Sequence, residues 1–63
     1  MKMPKYAQVY AAEISEMSNR VLLDSVIESE RESYWGFTKA EEWWNTLLLN
    51  EMETRLKDWL AKE

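Results

Sequence analysis

The chain contains no cysteine and no histidine, and these two absences exclude several classes of protein. Without cysteine there can be neither a disulfide nor an iron–sulfur cluster, and without both residues the usual zinc sites and haem attachments cannot form. Nucleophilic and general acid–base catalysis usually need histidine, cysteine or a buried carboxylate pair in a shaped pocket. The close pairs Glu41/Glu42 and Glu28/Glu32 are more typical of a solvated or helix-capping face. A magnesium or calcium site made only of carboxylates remains open, but no calcium loop of the EF-hand type is present. We therefore expect a protein that is not an enzyme and has no cofactor or metal.

Glycine, proline and long apolar runs are also scarce. The one glycine cannot build a glycine-rich phosphate loop. The main apolar run is Leu47-Leu48-Leu49, far short of the roughly 20 residues of a membrane span, and no cleavable leader is evident. No basic tail or stripe is present, so direct nucleic-acid binding is not expected. We expect a cytoplasmic protein without a membrane span.

What the chain has instead is apolar and aromatic content: 46% of its 63 residues are hydrophobic and 13% are aromatic. This content is too high for a disordered chain, and residues 1–63 are enough for only a single small domain. A domain of this size buries only about 60% of its unfolded surface, so folding alone is marginal. With disulfides excluded, we expect association with a second copy or with another protein to add stability.

The clearest boundary between two helices lies in residues 34–44, which read YWGFTKAEEWW. Thr38 and Glu41 fit a capping box, in which each side chain accepts a hydrogen bond from the other residue's backbone N–H. Gly36 stands just before, where the end of a helix favours a residue that tolerates positive φ. One helix therefore ends here and another begins.

Hydrophobic periodicity predicts one helix on either side of this hinge, over about residues 5–34 and 39–61. The sequence therefore predicts an all-α fold, an antiparallel two-helix hairpin that forms one domain over residues 1–63. Both apolar stripes are wider than one facing helix can cover. We therefore expect two copies to dimerise into a four-helix bundle.

One alternative concerns a break inside the first helix. Ser18 and Asn19 both favour the N-cap position, so a new helix could begin near Arg20. Neither residue is followed three positions later by Glu or Gln, in contrast to Thr38, and the unbroken helix is the preferred interpretation.

A row of serines supports a register for the hairpin. Ser25, Ser29 and Ser33 recur every four residues and so line one side of the first helix. If residue i faces about residue 73 − i, Ser29 lies opposite Trp44. The small side chains then accommodate a tryptophan, although a solvated serine edge is the other interpretation.

Four aromatic residues near the hinge are the candidate partner-binding residues: Tyr34, Trp35, Phe37 and Trp43. Two helices have little interior left at the turn that joins them. Tryptophan is enriched at interaction hot spots because it buries a large area with few rotatable bonds. By contrast, Trp44 and Trp59 lie on the apolar stripe of the second helix, and we expect them in the core.

Three functional hypotheses follow. The first is a small non-enzymatic interaction module, a homodimer that regulates, inhibits or adapts an unidentified protein; its size and class resemble those of phage and mobile-element inhibitors. The second is an acidic mimic of nucleic acid, whose candidate carboxylates surround the hinge: Glu28, Glu30, Glu32, Glu41 and Glu42. The third is a structural subunit of a larger assembly, which predicts a chain that folds poorly alone.

Overall fold

The computed structural model describes residues 2–62, and all regular structure in that range is helical. Helix α1 spans Lys5–Ser15, α2 spans Asn19–Glu32, a single 3₁₀ turn follows at Ser33–Trp35, and α3 spans Lys39–Ala61. The expected all-α class is therefore confirmed. None of these helices is long and apolar enough to cross a membrane.

The prediction of one helix over residues 5–34 is wrong, because the chain turns at residues 16–18 and begins a new helix at Asn19. Ser18 is extended, with φ −66° and ψ 162°, and its Oγ accepts the N–H of Val21 at 3.2 Å. This N-cap satisfies one of the free amides at the start of α2. A serine N-cap can therefore begin a helix without a full capping box, and the absence of that box did not argue for continuity.

Hydrogen bonds between helices define the direction of α2. Near the end of α2, Ser29 Oγ donates to Asn45 Oδ1 of α3 at 2.8 Å. Near its start, Arg55 Nη1 of α3 donates to Asn19 Oδ1 at 2.9 Å. The two pairs show that α2 and α3 run antiparallel, with residue i facing about residue 74 − i. This register is within one residue of the expected one.

The direction of α1 is the reverse of that of α2. The ring of Tyr10 meets that of Trp44 edge to face at 5.1 Å, and Arg55 Nη2 donates to the carbonyl of Ser15 at 3.4 Å. Tyr10 thus lies beside Trp44, and Ser15, further along α1, lies beside Arg55, further along α3. Helix α1 therefore runs parallel to α3. Residues 2–62 form three α-helices, so the expected pairing of two-helix hairpins into a four-helix bundle does not apply.

The core is small and joins all three helices. Its buried cluster consists of Ile14 of α1, Leu22 and Val26 of α2, and Leu48 of α3. Arg55 closes one end of this core, because its guanidinium binds Ser15 and Asn19 and also pairs with Glu51 at 2.8 Å. One side chain of α3 therefore holds the junction where α1 turns into α2.

The hinge between α2 and α3 has the predicted capping box. The N–H of Thr38 donates to Glu41 Oε1 at 3.0 Å, and the N–H of Glu41 donates to Thr38 Oγ1 at 3.3 Å. The first of these bonds stabilises the carboxylate and lowers the pKa of Glu41. Gly36 has φ +88°, a value that side-chain-bearing residues rarely adopt, so glycine permits the sharp change of direction here.

Candidate protein-interaction surfaces

Two of the four predicted partner-binding residues form an exposed pair at the hinge, which we call the aromatic tip (Tyr34 and Trp35). The 3₁₀ turn that ends α2 carries them outward, and each is 85% exposed. Their rings meet edge to face, with centroids 5.4 Å apart and planes inclined at 78°. This geometry is favourable for an aromatic pair, and the tip therefore presents a preformed apolar knob to solvent.

The other two predicted residues lie elsewhere. Phe37 is half-buried and lines a groove with Tyr10 and Trp44, on the side of the bundle that α1 covers. Trp43 is half-buried beside its own helical neighbours Lys39 and Thr46. No aromatic pair within residues 2–62 joins Phe37 or Trp43 to the tip. The structure thus brings together Tyr34 and Trp35 only.

Negative charge is concentrated around the aromatic tip. Residues 28–42 carry five carboxylates and two cations, Arg31 and Lys39, which is a net charge of −3 out of −4 for the chain. The ion pairs of residues 2–62 all lie outside this segment. Glu28, Glu30 and Glu32 are exposed, so their charges face solvent beside the tip. The segment that carries the aromatic rings is therefore acidic.

A second apolar surface lies at the opposite end of α3, where residues 56–62 are all exposed. It consists of Leu56, Trp59 and Leu60 of α3, which are 52%, 59% and 58% exposed, together with Leu23 of α2, which is 46% exposed. We call this surface the α3 ledge. The contact of Arg55 with Asn19 marks the start of α2, so α3 continues past the end of the bundle.

An open groove of about 310 Å³ leads from the ledge to the core. Its lining is mainly apolar and comes from both helices: Asn19, Leu22, Leu23, Met52, Arg55, Leu56 and Trp59. Leu22 is 2% exposed, so the groove reaches the buried cluster of the three-helix bundle. A bulky apolar side chain placed here would extend that cluster outward.

The charges around the ledge are nearly balanced. Residues 43–63 carry four acidic and three basic side chains, a net charge of −1. Most of them are paired along the helix, as in Lys57 with Glu53 at 3.0 Å and Lys62 with Asp58 at 3.2 Å. On α2, Arg20 lies 3.7 Å from Asp24. The two ends of α3 therefore differ in charge: the tip end is strongly acidic, whereas the ledge end is nearly neutral.

The prediction that Trp59 lies in the core is wrong, because Trp59 is 59% exposed. Trp59 lies on the apolar stripe of α3, but burial of that stripe needs a facing helix at that level. Because the chain breaks at Ser18, neither α1 nor α2 reaches there. The signal that would have revealed the ledge is the serine N-cap itself.

No family model, no curated protein and no solved structure matches this chain. Among residues 2–62, no group of three or more acidic side chains is placed to hold a metal ion. The aromatic tip and the α3 ledge are the candidate interaction surfaces of this chain.

Proposed function

We propose that this protein is a non-enzymatic interaction module that regulates, inhibits or adapts another protein, and that the aromatic tip is its binding site. The observation that supports the proposal is that Tyr34 and Trp35 are each 85% exposed and lie in a segment, residues 28–42, whose net charge is −3. Exposed aromatic side chains of this size are typical of binding hot spots, and a charged rim around them adds specificity for a partner of opposite charge.

The chemistry of the tip favours a basic partner segment. Arginine and lysine bind the faces of tryptophan and tyrosine rings through cation–π contacts. The same side chains pair with carboxylates such as those of Glu28, Glu30 and Glu32. One Lys- or Arg-rich segment can therefore satisfy both the rings and the charges, and association should weaken as salt rises.

The extent of the surface supports association as part of this function. The chain exposes 5170 Å², whereas a monomeric protein of its mass exposes roughly 4,300 Å². Its radius of gyration is 12.3 Å, compared with about 10.6 Å for a compact chain of this length. Within residues 2–62, eleven large hydrophobic side chains are exposed, whereas five hydrophobic residues form the buried core. A homodimer would reduce this exposed apolar area.

The acidic mimic of nucleic acid is the second candidate, and the concentration of charge around the hinge favours it. Such a mimic acts through its carboxylates and does not need the aromatic rings. The two functions therefore differ in what they predict for Trp35. Loss of the rings abolishes binding by the interaction module but leaves a mimic largely intact.

Affinity capture with three baits tests the proposal. Wild type, the tip variant Tyr34→Ser/Trp35→Ser and the control Val9→Ser are exposed to lysate of the source cells, and bound proteins are identified by mass spectrometry. Val9 is 63% exposed and lies on α1, so it matches the loss of an exposed apolar side chain at a distance from the tip. We expect wild type and the control to capture the same basic protein, and the tip variant to lose it.

One further bait and a competitor separate the candidates. Glu28→Gln/Glu32→Gln should weaken binding by either candidate. A mimic, in contrast to the interaction module, should lose its partner to added duplex DNA, and its tip variant should still capture that partner. Identical captures by wild type and the tip variant would exclude the tip as the binding site.

A further inference from the structure

We propose that the α3 ledge binds a second copy of this chain, with the two α3 helices antiparallel across a two-fold axis near Leu56. The proposal deepens the self-association in the proposed function by naming its surface. The last seven described residues, 56–62, are helical up to Ala61, but none of them is buried. Helical segments in proteins are stabilised mainly by packing of an apolar face. This segment has an apolar face, and no other part of residues 2–62 buries it.

The area of the chain matches what a second copy would cover. The surface of 5170 Å² exceeds that of a monomer of this mass by roughly 900 Å². Each partner in a standard protein interface contributes about 800 Å². One interface of ordinary size would therefore account for the excess.

Charge decides which end of α3 a second copy can approach. At the tip, two copies would bring together two segments of net charge −3, and this repulsion opposes association. At the ledge, residues 43–63 have a net charge of only −1, and the neighbouring ion pairs are satisfied within one helix. The apolar ledge can therefore meet its own copy with much less repulsion than the tip, so the ledge is the self-complementary end.

The shape of the ledge also suits a two-fold arrangement, in which the same patch serves on both copies. The ledge has a projecting part, formed by Leu60 and the exposed side of Trp59, and a receiving part, the groove that Trp59 lines together with Leu23. When two ledges meet antiparallel, each projecting end lies over the other copy's groove. Leu22, at the base of that groove, would then join the two cores.

Sedimentation equilibrium on three proteins tests the ledge. Leu56→Gln/Leu60→Gln removes two of its apolar side chains while keeping good helix formers. Val9→Gln/Trp35→Gln makes the same chemical change at exposed positions on α1 and at the tip. We expect wild type and the control to sediment as two chains at micromolar concentration, and the ledge variant as one chain. Far-ultraviolet circular dichroism should show a helical chain in all three.

Spin labels provide a measurement that does not depend on the ledge variant folding. The chain has no cysteine, so Lys57→Cys and Lys39→Cys each carry one label per copy. Across an antiparallel axis near Leu56, labels at position 57 lie close together, whereas those at position 39 lie roughly 50 Å apart from the helical rise alone. A short distance at 39, or a wild type that remains a single folded chain, would overturn the proposal.

The ledge and the tip can fail separately. The ledge variant keeps Tyr34 and Trp35, so its capture of a partner protein reports on the tip alone. The tip variant keeps the ledge, so its sedimentation reports on self-association alone.

Discussion

Replacement of Ser18 by alanine tests the three-helix fold through the sign of its effect. In the structure Ser18 is the N-cap of α2, and its Oγ accepts the N–H of Val21 at 3.2 Å. Loss of such a cap costs about 1 kcal/mol of stability. If residues 5–34 instead formed one helix, Ser18 would be an interior residue, and alanine would stabilise that helix by about 0.5 kcal/mol. The two folds therefore predict opposite signs.

The same substitution should not fuse α1 to α2. A continuous helix would remove α1 from α3 and would expose Ile14, which is 1% exposed in the bundle. That exposure costs about 1.5–3 kcal/mol, and loss of the edge-to-face contact between Tyr10 and Trp44 costs a further ~0.5–1.5 kcal/mol. These losses exceed the gain in helix propensity, so the variant remains a weaker three-helix bundle.

Urea unfolding followed by circular dichroism measures the effect, at one fixed protein concentration because association also changes apparent stability. The control is Thr54→Ala, an exposed position inside α3 whose hydroxyl donates only to the carbonyl of Asn50. The control should be stabilised by about 0.5 kcal/mol, whereas Ser18→Ala should be destabilised. Stabilisation of both variants would refute the break at Ser18.

Two further substitutions test the core and the hinge. Leu48→Ala should cost about 2–5 kcal/mol because Leu48 is fully buried; the neighbouring Leu49→Ala, 40% exposed in wild type, should cost much less, and equal losses in urea unfolding would contradict the assigned core. Glu41→Gln keeps an acceptor for the Thr38 N–H but loses the charge. Because the pKa of Glu41 is lowered in the folded state, the carboxylate stabilises fully above its unfolded-state pKa, and this contribution is lost as pH falls through the folded-state pKa. The stability difference between wild type and Glu41→Gln should therefore shrink in acid, and a difference constant with pH would exclude this role.

Local signals predicted the hinge correctly because they act within a few residues. The capping box at Thr38 and the positive φ of Gly36 depend only on neighbouring backbone groups. The register between α2 and α3 was also accessible, since the length of the turn determines which residues meet. Ser29 bonds to Asn45 and lines a groove with Trp44, close to its expected neighbour.

The direction of α1 could not be read in the same way. The N-cap at Ser18 favours a break by only about 1 kcal/mol, so tertiary packing determines whether the helix breaks or continues. Burial of Ile14 against Leu48 favours the folded-back helix, but that contact is not visible in local periodicity. The exposure of Tyr34 and Trp35 agrees with their expected position at the turn, and their role in binding a partner stays a prediction.

The break at Ser18 also explains why the ledge exists. Helix α3 has 23 residues and α2 has 14, which correspond to lengths of ~34 and ~21 Å. A single helix over residues 5–34 would have covered the whole of α3. Because the chain folds back instead, α1 and α2 each pack against the part of α3 that precedes Leu56. Residues 56–62 stay exposed.

The two proposed binding surfaces, the aromatic tip and the α3 ledge, would have different tasks. If two ledges meet near Leu56, the two aromatic tips lie at opposite ends of the dimer and face away from each other. Each dimer then offers two binding sites for a basic partner, and a partner with two such segments would bind more tightly than either site allows alone, provided that it spans both tips. The ledge variant, with its tips intact, would keep the affinity of one site and lose this gain. Self-association through the α3 ledge would thus strengthen recognition by the aromatic tip, although the two surfaces do not contact each other.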